Sequence, residues 1–306
     1  MIFPRIVVPV ITPFAPDGRV YETGVENLLQ FLRRHGITGL WVLGSYGAFP
    51  LLDQDQRKHA ATVFLSTAKK LGMTTVIQVG APSVEHATDL ARHAENSGAD
   101  AVASVVPFYY SSSHYNEENF LDYFGQLSKA TKLPLFYYNN PKTTGYTPSI
   151  AFLQKLVDVG VRGIKDTTSD FISITDKLRV FDESTAPGTY LGGSSSVYLP
   201  CRLMGAPGVV CGTAVALPEF ILAMDQAIQD GDMVQAQKLQ RTVHRVREIQ
   251  GRYVGRSAAC YDILHARGVD VGTVKPPWRR MTREQAREIM ADLAALPGVL
   301  PLGPEA

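Results

Sequence analysis

A chain of 306 residues with 45% hydrophobic and 19% charged residues can fill a large core. A formal net charge of +1 argues against nucleic acid or an anionic membrane as partner. No run of about 18 apolar residues predicts a membrane span, and Cys201, Cys211 and Cys260 lie far apart without CxxC spacing, as expected of reduced thiols in a cytoplasmic protein.

The opening MIFPRIVVPVITPF is apolar, broken by Pro4, Pro9 and Pro13, and has no basic segment ahead of it. It reads as a first strand, not a secretory leader. Short apolar runs then alternate with helix-length amphipathic segments: IVVPVI, GLWVL, TVIQV, AVASVV, LPLFYY, RGIK, TYLGG and GVVCG are the candidate strands. Between them, Gly36, Gly72, Gly98 and Gly160 stand where helices should end, and Ser83 stands where one should begin. Strand–helix alternation predicts parallel pairing, and continuous apolar runs predict strands covered on both faces. The expected fold is an α/β (β/α)₈ TIM barrel, which takes about 250 residues. It should span residues 1–231, with a three-helix C-terminal extension over 232–306, all in one domain. An open doubly wound sheet fits less well, because no glycine-rich fingerprint follows the first strand.

The sixth run ends on a lysine, in GVRGIKDTTSD. Strand ends of a barrel face the mouth that carries chemistry. An amine desolvated there loses its proton more readily and becomes a nucleophile toward a carbonyl. The competing reading has Lys165 pointing to solvent or pairing with Asp166. The other ten lysines sit in helical or turn contexts and read as solvated faces. The preceding strand ends in LFYYNNPKTTG, and strands about 4.8 Å apart can bring Tyr137 or Tyr138 to that amine as a proton shuttle. After the second strand, Gly44, Ser45, Tyr46 and Gly47 form a turn whose backbone N–H groups can hold a carboxylate; glycines there can also serve close packing alone. VVPFYYSSSHYN, after the fourth strand, gathers aromatics beside hydroxyls, as a subunit contact or a packed loop would.

Together these places resemble the dihydrodipicolinate synthase and N-acetylneuraminate lyase family of class I, pyruvate-type aldolases. GSYG is similar to that family's loop after strand two, PFYY follows strand four, and YNNP and GIKDTTSD match its patterns around the catalytic tyrosine and lysine. The resemblance implies that Lys165 forms an imine with a 2-oxo acid, pyruvate or a pyruvate-yielding substrate, and that Tyr138 is the general acid and base. It also implies that Tyr109 reaches a neighbouring subunit's site, hence a homodimer or homotetramer. Ser45 links the tyrosines in a proton relay, and Val210 offers a backbone carbonyl on the lysine side. No metal or organic cofactor is implied, since the protonated imine is itself the electron sink.

The departures bear on substrate. Tyr46 replaces a threonine, Ala48 a glutamate, and GGSSS an acidic pair after strand seven. Thr143 stands where the synthases carry an arginine that grips the second substrate, and a hydroxyl cannot supply a guanidinium fork. These changes favour an aldolase, lyase or dehydratase on a sugar-acid-like or aromatic 2-oxo acid over dihydrodipicolinate synthase. A non-catalytic barrel that binds a 2-oxo acid is the alternative of another class. A metal-dependent aldolase is disfavoured because the seven histidines form no HxH or HxxxH pair.

Overall fold

The computed structural model describes residues 3–110, 113–184 and 188–297. Each of the eight apolar runs forms a strand: β1 (Ile6–Pro9), β2 (Gly39–Val42), β3 (Thr74–Gln78), β4 (Ala101–Ser104), β5 (Leu135–Asn139), β6 (Val161–Asp166), β7 (Thr189–Gly192) and β8 (Gly208–Val210). They join in chain order into a closed barrel. This is the (β/α)₈ architecture expected from alternation alone. Met233–Gln250, Arg256–Ala266 and Arg283–Ala294 supply the three C-terminal helices.

The chain resolves into two compact units. One holds Thr74–Val210, with β3 to β8; the other joins Arg5–Met73, with β1 and β2, to the chain from Cys211 onward. In the second, β1 and β2 pair in parallel, Val8 opposite Leu40, and the three C-terminal helices belong to the same unit. In the first, β5 and β6 share the longest register, from Leu135 opposite Val161 to Asn139 opposite Asp166.

Local signals account for the punctuation. Gly36, Gly72, Gly98 and Gly160 all take positive φ, the left-handed conformation that closes a helix with least strain in glycine. Ser83 accepts a hydrogen bond from the His86 N–H, capping the helix Val84–Asn96.

Alternation along β5 and β6 sorts their side chains onto two faces. Tyr137 packs edge-on against Phe124 and Phe152 of the flanking helices, so Tyr137, Asn139, Ile164 and Asp166 face outward. Phe136, Tyr138, Gly163 and Lys165 therefore share the inner face. Gly163 is required there by contact: a Cβ would stand 2.5 Å from Cδ1 of the Phe136 ring. Gly163→Ala is expected to destabilise the protein by about 1–3 kcal/mol through this overlap, read as a lower urea midpoint; an unchanged midpoint would contradict the packing described.

Candidate active site

Lys165 is built into the site by register. It lies opposite Tyr138 in the β5–β6 ladder, and its Nζ sits 3.9 Å from the centroid of the Tyr138 ring. Both side chains are 3% exposed. Two opposed effects act on that amine. The ring face favours the ammonium by about 0.5–2 kcal/mol, roughly one pKa unit. Burial disfavours it by as much as several units. Burial wins, and Lys165 is held well below the ordinary lysine value. The amine is thus disposed to be neutral and nucleophilic.

The competing sequence reading, a pair between Lys165 and Asp166, is not what forms. Asp166 points to the opposite face, where the Lys177 ammonium donates to both its oxygens at 3.0 and 3.1 Å. Asn139 Nδ2 donates to Asp166 Oδ1 at 2.7 Å, Thr168 Oγ1 to Oδ2 at 2.6 Å, and the Tyr190 hydroxyl to Oδ2 at 3.1 Å. Burial and the adjacent carboxylate push the Tyr190 phenol well above its usual range. Lys177 is 1% exposed, which corrects its expected place on a solvated helix face. The signal was present: Ile174, Lys177, Leu178 and Phe181 fall on the buried stripe of the helix Phe171–Asp182. The network pins the end of β6, and with it the residue beside Asp166. Gly193 closes against it, its N–H donating to the Asp166 carbonyl at 2.6 Å.

The YNNP turn positions the phenol. Asn140 Nδ2 donates to the Tyr138 hydroxyl at 3.3 Å, and the Asn140 carbonyl accepts from the Thr143 and Thr144 N–H groups at 3.0 and 3.1 Å. The Thr143 hydroxyl also donates to that carbonyl, at 3.2 Å, so it serves the turn Pro141–Thr144. Of the two tyrosines that the sequence offered, the structure brings Tyr138 to the lysine and sends Tyr137 outward, where its hydroxyl donates to Asn139 Oδ1 at 3.2 Å. Val210 closes β8 and is buried. Tyr109 is 83% exposed, its backbone at φ +85° and its ring edge-on to Tyr110 at 4.9 Å. Of the aromatic–hydroxyl stretch after β4, Ser111 and Ser112 lie outside the described residues.

In the second unit, the loop after β2 departs from the simplest glycine argument. Left-handed φ falls on Leu43 and Ala48, at +56° and +55°, and not on Gly44 or Gly47. Those glycines serve close approach: a Cβ on Gly44 would meet Trp41 Cδ1 at 2.9 Å, and one on Gly47 would meet the Leu43 Cα at 3.0 Å. Thr12 Oγ1 donates to the Gly47 carbonyl at 2.7 Å, fixing the turn from below. Ser45 and Tyr46 are half-buried. The Tyr46 hydroxyl is pushed up to about 12, chiefly by desolvation. Among the described residues, no group of three or more His, Cys, Asp or Glu side chains is placed to hold a metal ion.

A parallel barrel with a buried strand-end amine over a tyrosine ring defines a class, the imine-forming lyases of class I aldolase type. The chain belongs to the dihydrodipicolinate synthetase family, which it matches over residues 2–296. An uncharacterised DapA-like lyase from Halobacterium salinarum is 30% identical over 295 residues, covering 95% of this chain and 93% of that protein. A 2-dehydro-3-deoxy-D-gluconate/2-dehydro-3-deoxy-phosphogluconate aldolase from Thermoproteus tenax is 27% identical over 291 residues, 95% of this chain and 90% of its own. The crystal structure of KD(P)GA from T. tenax superposes with a TM-score of 0.86 at 27% identity, covering 95% of this chain and 98% of that one.

Removing Lys177 leaves a carboxylate buried without its cation. Lys177→Met is expected to cost about 3–5 kcal/mol in urea unfolding, and Lys177→Met combined with Asp166→Asn to recover most of it. A single variant as stable as the parent would show that the pair does not pin β6.

Proposed function

We propose that this protein cleaves a sugar-acid-like 4-hydroxy-2-oxo acid to pyruvate and an aldehyde through an imine on Lys165. The observation that carries the reading is the buried amine of Lys165 at 3.9 Å from the Tyr138 ring centroid. The neutral amine adds to the C2 carbonyl; the carbinolamine loses water and becomes a protonated imine. That cation draws the electron pair of the C3–C4 bond as the C4 hydroxyl gives up its proton, and the aldehyde departs. The resulting enamine takes a proton at C3, and water hydrolyses the imine, releasing pyruvate and the free amine. Tyr138, oriented by Asn140, carries the protons at dehydration and at cleavage. The same ring face is placed to support the positive charge of the protonated imine once it forms.

Two features favour a sugar-acid-like substrate over aspartate semialdehyde. The residue at the synthases' arginine position is Thr143, whose hydroxyl already donates to the Asn140 carbonyl. The T. tenax relative is named for sugar-acid aldol chemistry. A left-handed backbone in a non-glycine residue costs about 1–3 kcal/mol and gathers at functional sites, which supports Tyr109 as a side chain offered to a second copy of the chain in a homodimer or homotetramer. Three free, buried cysteines support cytoplasmic residence.

Borohydride reduction in the presence of pyruvate, followed by peptide mapping, tests the imine. A pyruvate-derived mass on the Lys165 peptide, absent from Lys165→Ala, is expected. At least about a thousandfold loss of pyruvate release from 2-dehydro-3-deoxy sugar acids should accompany that variant. An unmodified Lys165 peptide from active enzyme would defeat the reading.

A further inference from the structure

The second compact unit gathers two arginines with which no acid among the described residues forms an ion pair. Tyr46 lays its ring on Gly212, in the 3-10 turn after β8: a Cβ there would stand 2.5 Å from the phenolic Cζ. The Tyr46 hydroxyl then lies beside the guanidiniums of Arg256 and Arg247, with Cys260 behind it. Arg247 is half-buried in the last turn of the helix Met233–Gln250. Arg256 opens the helix Arg256–Ala266, and its Nη1 comes within 3.6 Å of where a Cβ on Gly251 would sit.

Neither guanidinium is ion-paired among the described residues. Three acids on the C-terminal helices are engaged elsewhere: Glu288 and Asp292 with Arg252, and Asp262 with Arg280. Glu248, next to Arg247 in the chain, is exposed and pairs with neither. Gly255 gives the second helix no side-chain cap, so its first N–H groups add to the positive field. Arg256 over Gly251 can offset the carbonyl end of the first helix. Arg247 lies in that same last turn, where the dipole also favours a cation, so two positive charges stand together at one helix end. The half-buried Arg247 guanidinium and that of exposed Arg256 repel unless an anion joins them, and their forks match carboxylate and phosphate oxygens. Desolvation keeps the Tyr46 phenol neutral, and so able to donate.

We propose that Arg247, Arg256 and the Tyr46 hydroxyl form an oxyanion site that takes a phosphate or carboxylate group of a small ligand. The site goes beyond the lyase reading, because binding there requires no imine. Isothermal titration of the whole protein with inorganic phosphate and, separately, with succinate, at fixed ionic strength in chloride, tests it. Saturable binding of at least one is expected, weakened about 10-fold or more by Arg256→Met and by Arg247→Met, and partly restored by Arg256→Lys. Tighter phosphate identifies a phosphoryl ligand; tighter succinate, a carboxylate. Arg256 is exposed, so its variants decide the matter even if Arg247→Met does not fold. Binding of neither anion, or binding indifferent to Arg256→Met, overturns the proposal. Borohydride trapping at Lys165 is read independently, so either idea can fail alone.

Discussion

Removal of water from one amine is the constraint on which the proposed chemistry depends. Lys165 sits among groups that disfavour its charge more strongly than the Tyr138 ring favours it. An ordinary lysine, with a pKa near 10.4, is almost wholly protonated at neutral pH and a poor nucleophile. Burial changes that without a neighbouring base having to take the proton. The barrel supplies the burial cheaply, because its inner face is filled by the same layered side chains that hold the fold together. Phe136 across Gly163, and Tyr138 beneath Lys165, are successive layers of one pattern.

A buried amine is only useful if held still. Its strand is anchored from the other side, by a carboxylate that accepts from Lys177, Asn139, Thr168 and Tyr190. Strand alternation keeps the two lysines on opposite faces, so the anchoring cation and the Lys165 nitrogen do not compete for Asp166. Lys177 stays paired with Asp166, and Lys165 stays desolvated. One residue of register separates the two environments.

Much of this was legible in the sequence. Eight apolar runs and their glycine stops carried the barrel, because parallel strands covered on both faces leave unbroken hydrophobic stretches. Lys165 stood out as a charge ending such a run. What escaped was whatever depended on register or on distant chain segments. Periodicity alone left Tyr137 and Tyr138 both open; the resemblance pointed to Tyr138, and the β5–β6 pairing sets that residue opposite Lys165. Lys177 was read as solvated although its helical spacing placed it on the buried stripe. The meeting of Tyr46 with Arg247 and Arg256 joins residues some 200 positions apart, and no local pattern announces it. The loop after β2 shows a subtler limit: its glycines were visible, but left-handed φ fell on Leu43 and Ala48 instead.

The most direct test of the central claim is a titration of lysine side chains, by NMR of protein labelled at lysine Cε. Eleven lysines are present, and one resonance should titrate well below 10.5, vanishing in Lys165→Ala. The linkage has a definite sign. A lysine whose folded pKa is depressed binds fewer protons than the unfolded chain between the two values, so stability rises with pH across that window. The same variant should flatten that rise. A Lys165 resonance titrating with the solvated lysines, near 10.4, would contradict the account.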